Sequence, residues 1–351
     1  METNLPKYRR IAALLEQRLA GGEFPAGEAL PGEKRLAEEL GANHLTVRRA
    51  LRLLVERGLA HTVPSRGTYP GPGPGSARDS GGARNLVGML FSDADPYFLR
   101  ILSELESLMS ARGLSPVVRL SRGSPAREVE IMREFQRLGV RGVLAAPLSG
   151  SVQAYRQPHL PVVFFDSRLE ELPIPYVVTD DFQGTRWAVE HLLGLGHRHI
   201  AHIGSGGEAT SRDRLRGFEA ALAAAGVQVP AEFRQGREYS REWGHLAAER
   251  LFAQPVAPTA LVCGSDVIAA GALRYLVENG RRCPEDVSLI GYSDSELSRD
   301  LQLTTVRQPL ERLAATAWRL LAALFEGHHT PRENRLETSL VVRRTTAPPT
   351  V

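Results

Sequence analysis

Between residues 86 and 291, short apolar runs alternate with amphipathic helical patterns, and this alternation constrains the chain more than any other feature. The runs are Leu86–Phe91, Pro116–Leu120, Gly142–Ala146, Val162–Asp166, Ile200–Gly204, Ala260–Cys263 and Val287–Gly291. Helical patterns fit between them at Phe98–Arg112, Ala126–Leu138, Gly184–Leu193, Arg212–Ala225, Trp243–Phe252 and Val267–Asn279. Strands that are apolar throughout are buried on both faces, which points to parallel sheets covered by helices. So many elements overfill one compact sheet. An α/β fold is expected, with two Rossmann-like lobes and a cleft between them. Ligands bind at the carboxyl ends of such strands.

The segment PGPGPGSARDSGGARN, residues 70–85, has no apolar residue able to anchor a core and reads as a semi-flexible linker. It separates a first domain, residues 1–69, from a second, residues 86–351. The charge follows this division. Residues 1–69 carry 11 Lys+Arg against 8 Asp+Glu, so the whole net charge of +3 lies there and the remainder is balanced. A basic small domain beside a neutral large one suits a phosphate backbone as the partner of the first. No apolar run approaches the roughly 20 residues of a membrane span. The N-terminus lacks a signal-peptide pattern, and two cysteines exclude a disulfide framework. A cytoplasmic protein with reduced thiols is expected.

Before the linker, three helices are expected. Tyr8, Ile11, Ala12, Leu15 and Leu19 mark the first, and Glu33–Leu40 forms the second. The third is Thr46–Arg57, with Asn43 placed to cap it. Its stripe of Val47, Ala50, Leu51 and Leu54 leaves Arg48, Arg49 and Arg52 off the apolar face. LAHTVPSRGTY then reads as two short strands around a tight turn. Three helices and a two-stranded wing make a winged helix-turn-helix.

Residues 6–69 resemble the DNA-binding domain of the GntR regulators. The resemblance rests on LPGEK at Leu30–Lys34, TVRRALRLL at Thr46–Leu54, the Gly58-Leu59 turn and RGTY at Arg66–Tyr69. Polar side chains at the start of a recognition helix reach base edges in the major groove, which assigns Asn43, His44, Leu45, Thr46 and Arg48 to that role. Lys34, Arg49 and Arg52 suit phosphate. The resemblance implies that Arg66 and Gly67 of the wing touch the minor groove. The family commonly has Ser-Arg where this chain has Asn43-His44, so its base preference does not carry over.

Residues 86–346 resemble the effector-binding core of the lac-repressor/GalR family, itself akin to periplasmic sugar-binding proteins. The matching stretches include FFDSRLEELPIPYVVTDDFQGTRWAVEHLLGLGHRHIAHIG, DRLRGFEAAL, PTALVCGSDVIAAGAL and PEDVSLIGYSDSE. In that fold the chain crosses between lobes three times, here expected at Tyr176–Asp180, Val306–Leu310 and Gly327–Glu337. The resemblance implies effector contacts from Tyr97, Phe98, Asp166, Arg212, Arg214, Tyr239, Ser265, Asp266, Ser293, Asp294 and Gln308. Aromatic faces with charged hydrogen-bonding groups suit a sugar-like molecule. The family often has Asp directly after Gly-Tyr, where this chain has Ser293 and then Asp294.

No metal, cofactor or catalytic residue is expected. The His191, His197, His199, His202 spacing matches no zinc pattern, and GSGGEATS lacks the Gly-Lys-Ser/Thr of a P-loop. The reading is a transcriptional repressor controlled by a small metabolite. It acts as a homodimer on a palindromic double-stranded DNA operator, away from any membrane. The alternative is a small-molecule-binding protein with a non-functional head.

Overall fold

The computed structural model describes residues 6–350, apart from 22, 25–27, 57–58, 64–66, 72–84 and 157–159. Most of the expected linker and Arg66 therefore lie outside the described residues. The chain divides into two compact units at residues 84 and 85.

The first unit contains α1 (Lys7–Ala20), α2 (Glu33–Glu39), α3 (His44–Glu56), β1 (Ala60–Val63) and β2 (Gly67–Pro70). The two strands pair antiparallel, with Val63 opposite Gly67 and His61 opposite Tyr69. The apolar stripe read from the sequence is the core. Val47, Ala50, Leu51 and Leu54 of α3 pack with Ile11, Ala12 and Leu15 of α1 and with Leu36 of α2. Asn43 caps α3, its Oδ1 accepting from the Leu45 amide at 2.9 Å.

The second unit has two six-stranded sheets. Lobe 1 is built from β3 (Leu86–Phe91), β4 (Ser115–Leu120), β5 (Val143–Ala145), β6 (Val162–Phe165), β7 (Tyr176–Thr179) and β13 (Glu333–Leu336), all parallel. Its helices are α4 (Pro96–Ser110), α5 (Pro125–Leu138), the short α6 (Val152–Tyr155) and α12 (Leu310–Phe325). Lobe 2 is built from β8 (Ile200–Ser205), β9 (Arg234–Arg237), β10 (Ala260–Cys263), β11 (Ser288–Ser293), β12 (Thr304–Arg307) and β14 (Ser339–Val341). All are parallel except β14, which runs antiparallel to β12. Its helices are α7 (Asp181–Gly194), α8 (Ala209–Ala224), α9 (Arg241–Phe252), α10 (Asp266–Glu278) and α11 (Glu296–Asp300).

Each sheet is sandwiched between two apolar clusters, as burial on both faces requires. The first two crossings fall where expected, at Thr179–Asp181 and at Gln308–Pro309. The third does not begin at Gly327. The chain stays in lobe 1 until β13 has paired with β7, and crosses at Glu337–Thr338. Helix α12 follows a lobe 2 strand yet buries Leu313, Ala317, Trp318 and Leu321 in lobe 1. The three crossings lie side by side, so residues next to them form the floor of the interlobe cleft.

Helices α9 and α10 meet backbone to backbone. A Cβ on Gly271 would lie 2.0 Å from the Arg241 carbonyl oxygen, and one on Gly244 would lie 2.1 Å from that of Ile268. Neither obstacle can rotate away. Gly271→Ala is therefore expected to push the helices apart and cost about 1–3 kcal/mol, the usual penalty of overpacking. Urea denaturation of the full chain measures this. A loss below about 0.5 kcal/mol, within the range of ordinary surface changes, would show that the crossing relaxes freely.

Candidate functional site

On the first unit, Asn43, His44, Leu45, Arg48, Arg49 and Arg52 are exposed on one side of α3, and Lys34 is exposed on α2. Thr46 is half-buried, and Gly67 is exposed at the start of β2. The apolar stripe fixes this orientation, because burying Val47 and Leu54 turns the arginines outward. Two of the arginines are held. The Arg48 guanidinium grips Glu33 of α2, with Nε 3.0 and 2.9 Å from the two carboxylate oxygens and Nη2 2.8 Å from one of them. Arg49 lies over the Tyr8 ring of α1 at 4.2 Å. Positioned cations beside a capped helix start are what a DNA phosphate needs.

On the second unit, a hydrogen-bonded chain crosses the floor of the cleft. Asp166 ends β6 with φ +61, a left-handed conformation that turns its carboxylate away from the strand. The Tyr97 hydroxyl, from the start of α4, donates to Asp166 Oδ1 at 2.5 Å. Gln308, at the second crossing, donates from Nε2 to the Tyr97 hydroxyl at 3.3 Å and to Thr179 Oγ1 at 3.0 Å. The Thr179 hydroxyl donates to Asp181 Oδ1 at 3.2 Å. Asp181 in turn holds Arg214, with Nε and Nη2 each 3.0 Å from Oδ1. The guanidinium also reaches the Gly264 carbonyl at 2.5 Å and the Tyr239 hydroxyl at 3.4 Å, and lies 3.9 Å over the Tyr292 ring.

The electrostatics follow from this burial. Desolvation pushes the Asp166 carboxyl up to about 6, against the opposing pull of the Tyr97 hydrogen bond and Arg214. Burial and the Arg214 charge push His202 down to about 4, so it is neutral near pH 7. Burial works against the Arg214 charge, but the Asp181 carboxylate, helped by Asp166, outweighs it and keeps the group cationic.

Of the residues expected at this site, Tyr97, Asp166, Arg214, Tyr239 and Gln308 converge. The others are engaged elsewhere in the structure. Asp266 is buried with both oxygens occupied: Thr305 donates to Oδ1 at 2.6 Å, and the Ser295 amide and hydroxyl donate to Oδ2 at 2.8 and 2.7 Å. Ser265 accepts from the Ile268 amide as the α10 cap. Asp294 is also buried and holds Arg307 at 2.6 Å and Arg343 at 2.5 Å, which keep its carboxyl acidic despite burial. Ser293, at φ +127, turns the chain out of β11 ahead of it. These residues tie strands together inside lobe 2. Arg212 is exposed and donates to the Gly207 carbonyl. Phe98 packs on the lobe 1 core, 5.3 Å from the Phe91 ring. Asp181, Thr179 and Tyr292 were not anticipated. Asp181 follows the cap residue Asp180 and reads in sequence as a helix-start acid, while its partner is 33 residues away.

Residues 7–69 match the model of bacterial regulatory proteins of the gntR family, and residues 189–346 match that of a periplasmic binding protein-like domain. The chain is 26% identical over 363 residues to the arabinose metabolism transcriptional repressor of Geobacillus stearothermophilus, covering 98% of this chain and 99% of that protein. It is 34% identical over 284 residues to an uncharacterized HTH-type transcriptional regulator in the aml 5′ region of Streptomyces limosus, covering 75% and 79% of the two chains. Among solved structures, a LacI family transcriptional regulator from Enterococcus faecium with bound ribose is similar at TM-score 0.67 and 26% identity, covering 75% of this chain and 99% of that one.

Proposed function

Because the chain belongs to the HTH-type transcriptional regulators that join a gntR-family head to a periplasmic-binding-protein-like core, we propose that it is a repressor whose effector is an uncharged sugar or close derivative held in the interlobe cleft. The convergence of Tyr97, Asp166, Gln308 and Arg214 from both lobes carries this reading. The relatives support it, since one is a repressor of arabinose metabolism and a structural neighbour holds ribose. Asp166 accepts from ligand hydroxyls, Tyr97 and Tyr239 supply ring faces, and Gln308 and Arg214 donate.

The protein acts as a homodimer on a palindromic operator in the cytoplasm and catalyses no reaction. The half-buried Leu273, Leu297 and Leu301 and the exposed Val277 lie together on the outer side of α10 and α11, where a second copy covers them. The Pro/Gly-rich residues 70–85 do not suit the minor-groove hinge helix by which the lac-repressor family joins its domains. The effector acts instead by changing how two heads are spaced, which requires that it bind one arrangement more tightly than the other.

A thermal-shift screen of the full chain against pentoses, hexoses, polyols and hexuronates tests the cleft. A neutral sugar is expected to stabilise the protein, because ligand that binds only the native state must do so. Asp166→Ala is expected to erase the shift, and silence across the neutral sugars would overturn the reading. The shift should also depend on pH. Protonation removes an acceptor, so the sugar effect is expected to be full above the Asp166 pKa of about 6 and to shrink below it. The ligand-free protein responds in the opposite sense. A carboxyl whose pKa is raised from 3.8 by folding binds its proton more tightly in the native state, so this group's contribution to stability falls as pH rises from 3.8 to about 6. A sugar shift equal at pH 5 and pH 7.5 would remove Asp166 from the contact.

A further inference from the structure

Asp213 of α8 lies one residue before Arg214, and Arg168 lies two residues after Asp166. Arg168 Nη1 stands 2.8 Å from Asp213 Oδ2 across the lobe boundary, with both side chains almost fully buried. Arg335, on β13 of lobe 1, adds a second cation 3.8 Å from the same oxygen. Two positive charges of lobe 1 thus close on one carboxylate of lobe 2, and Arg168 and Asp213 sit on the segments that carry Asp166 and Arg214. Farther along the boundary, the Ser149 hydroxyl donates to the Gly207 carbonyl at 2.8 Å, again from lobe 1 to lobe 2.

We infer that Arg168, Asp213 and Arg335 form an ionic clasp that sets the balance between the closed and open cleft, and so positions Asp166 and Arg214 for the effector.

The network is built to come apart. Burying an ion pair is costly when opening or mutation strands one charge. Here each charge keeps a partner on its own lobe. Arg216 of α8 is 3.2 Å from Asp213 Oδ1, Glu170 is 3.1 Å from Arg168, and Glu333 is 2.6 Å from Arg335. Opening breaks the interlobe pairs and leaves the local ones. At 2.8 Å the Arg168–Asp213 contact is a charge-assisted one that forms only when the lobes meet. A permanent weld between lobes would show no local partners. The closed form brings Asp166 and Arg214 together, so the clasp and an effector that touches both favour the same state. Their coupling is reciprocal.

The inference rests on the cleft being the effector site, but its test needs no effector. Spin labels on exposed cysteines, one per lobe at Gln136→Cys and Glu232→Cys, report the interlobe distance in the full chain by pulsed electron resonance. The labelled parent is expected to show mainly the short distance. Asp213→Asn and Arg168→Gln should each move the open-to-closed ratio toward open by about 5–150-fold, the usual range of such couplings. The double variant should move it no further than the larger single, and Asp213→Glu should restore the parent distribution. Arg335→Gln, at a more exposed position, should act in the same direction and more weakly, and stands in if either buried variant fails to fold. An unchanged distance distribution in folded Asp213→Asn or Arg335→Gln overturns the clasp. Additive effects of Asp213→Asn and Arg168→Gln overturn it as well. Loss of the sugar-induced thermal shift with the distances unchanged would also count against the clasp while leaving the cleft reading intact.

Discussion

Asp181→Ala is expected to destabilise the second unit by about 3–5 kcal/mol, the cost of leaving a buried charge without its partner. Asp181 is wholly buried and accepts from both Nε and Nη2 of Arg214, which is itself 6% exposed. Removing the carboxylate leaves that guanidinium in contact with a carbonyl, a phenol at 3.4 Å and the face of Tyr292, with Asp166 as a weaker charge nearby. None of the contacting groups neutralises it. Asp181→Asn should cost less, because an acceptor remains. Asp181→Ala combined with Arg214→Leu should recover much of the loss, since an apolar pair needs no compensation. Urea denaturation followed by far-UV circular dichroism reads all three. A single variant within about 1 kcal/mol of the parent, below the buried-pair range, would mean that water reaches Arg214 and that the cleft floor is not dry.

The second large effect belongs to the head. Arg48→Ala is expected to weaken operator binding by about 1–3 kcal/mol and to lower the salt slope by about one. Its grip on Glu33 decides how the change is felt. The substitution removes one cation from the exposed face of α3 and also unmasks an acid beside it. Glu33→Gln separates the two effects. It frees Arg48 and removes the acid, so it should bind at least as tightly as the parent, with an equal or steeper salt slope. If Arg48→Ala and Glu33→Gln weaken binding alike and leave the slope unchanged, the pair only braces α2 against α3.

How much of this was legible in the sequence depends on whether a residue's role is local. The inner strands β3, β5, β6 and β10 are apolar throughout, β8 and β11 are largely so, and all six stand out as runs. The edge strand β9, with the sequence RQGR, and β13, with ENRL, carry no such signal, because a sheet edge can face water. β7, with the sequence YVVT, and β12, with TTVR, run straight into crossings, so they read as connections. The stripe and cap of α3 were plain because both are set by neighbours within one or two turns. Asp181 was not, because its meaning comes from Arg214 on another helix. The partners of Asp266 and Asp294 are hidden from the sequence for the same reason. A carboxylate at the end of a strand looks free for ligand until Thr305, Ser295, Arg307 and Arg343 are seen to occupy it.

Occupation of the cleft should change how the heads hold DNA. Fluorescence anisotropy of the full chain on a duplex selected by this protein from random DNA reads this. The titration is run with and without a saturating concentration of the sugar that gives the largest thermal shift. The expected result is a change in operator affinity of about fivefold or more, the lower bound of ordinary allosteric coupling, and its loss in Asp166→Ala. Equal affinity with the cleft filled and empty would contradict the claim, and would leave a DNA-binding head and a sugar-binding core that do not communicate.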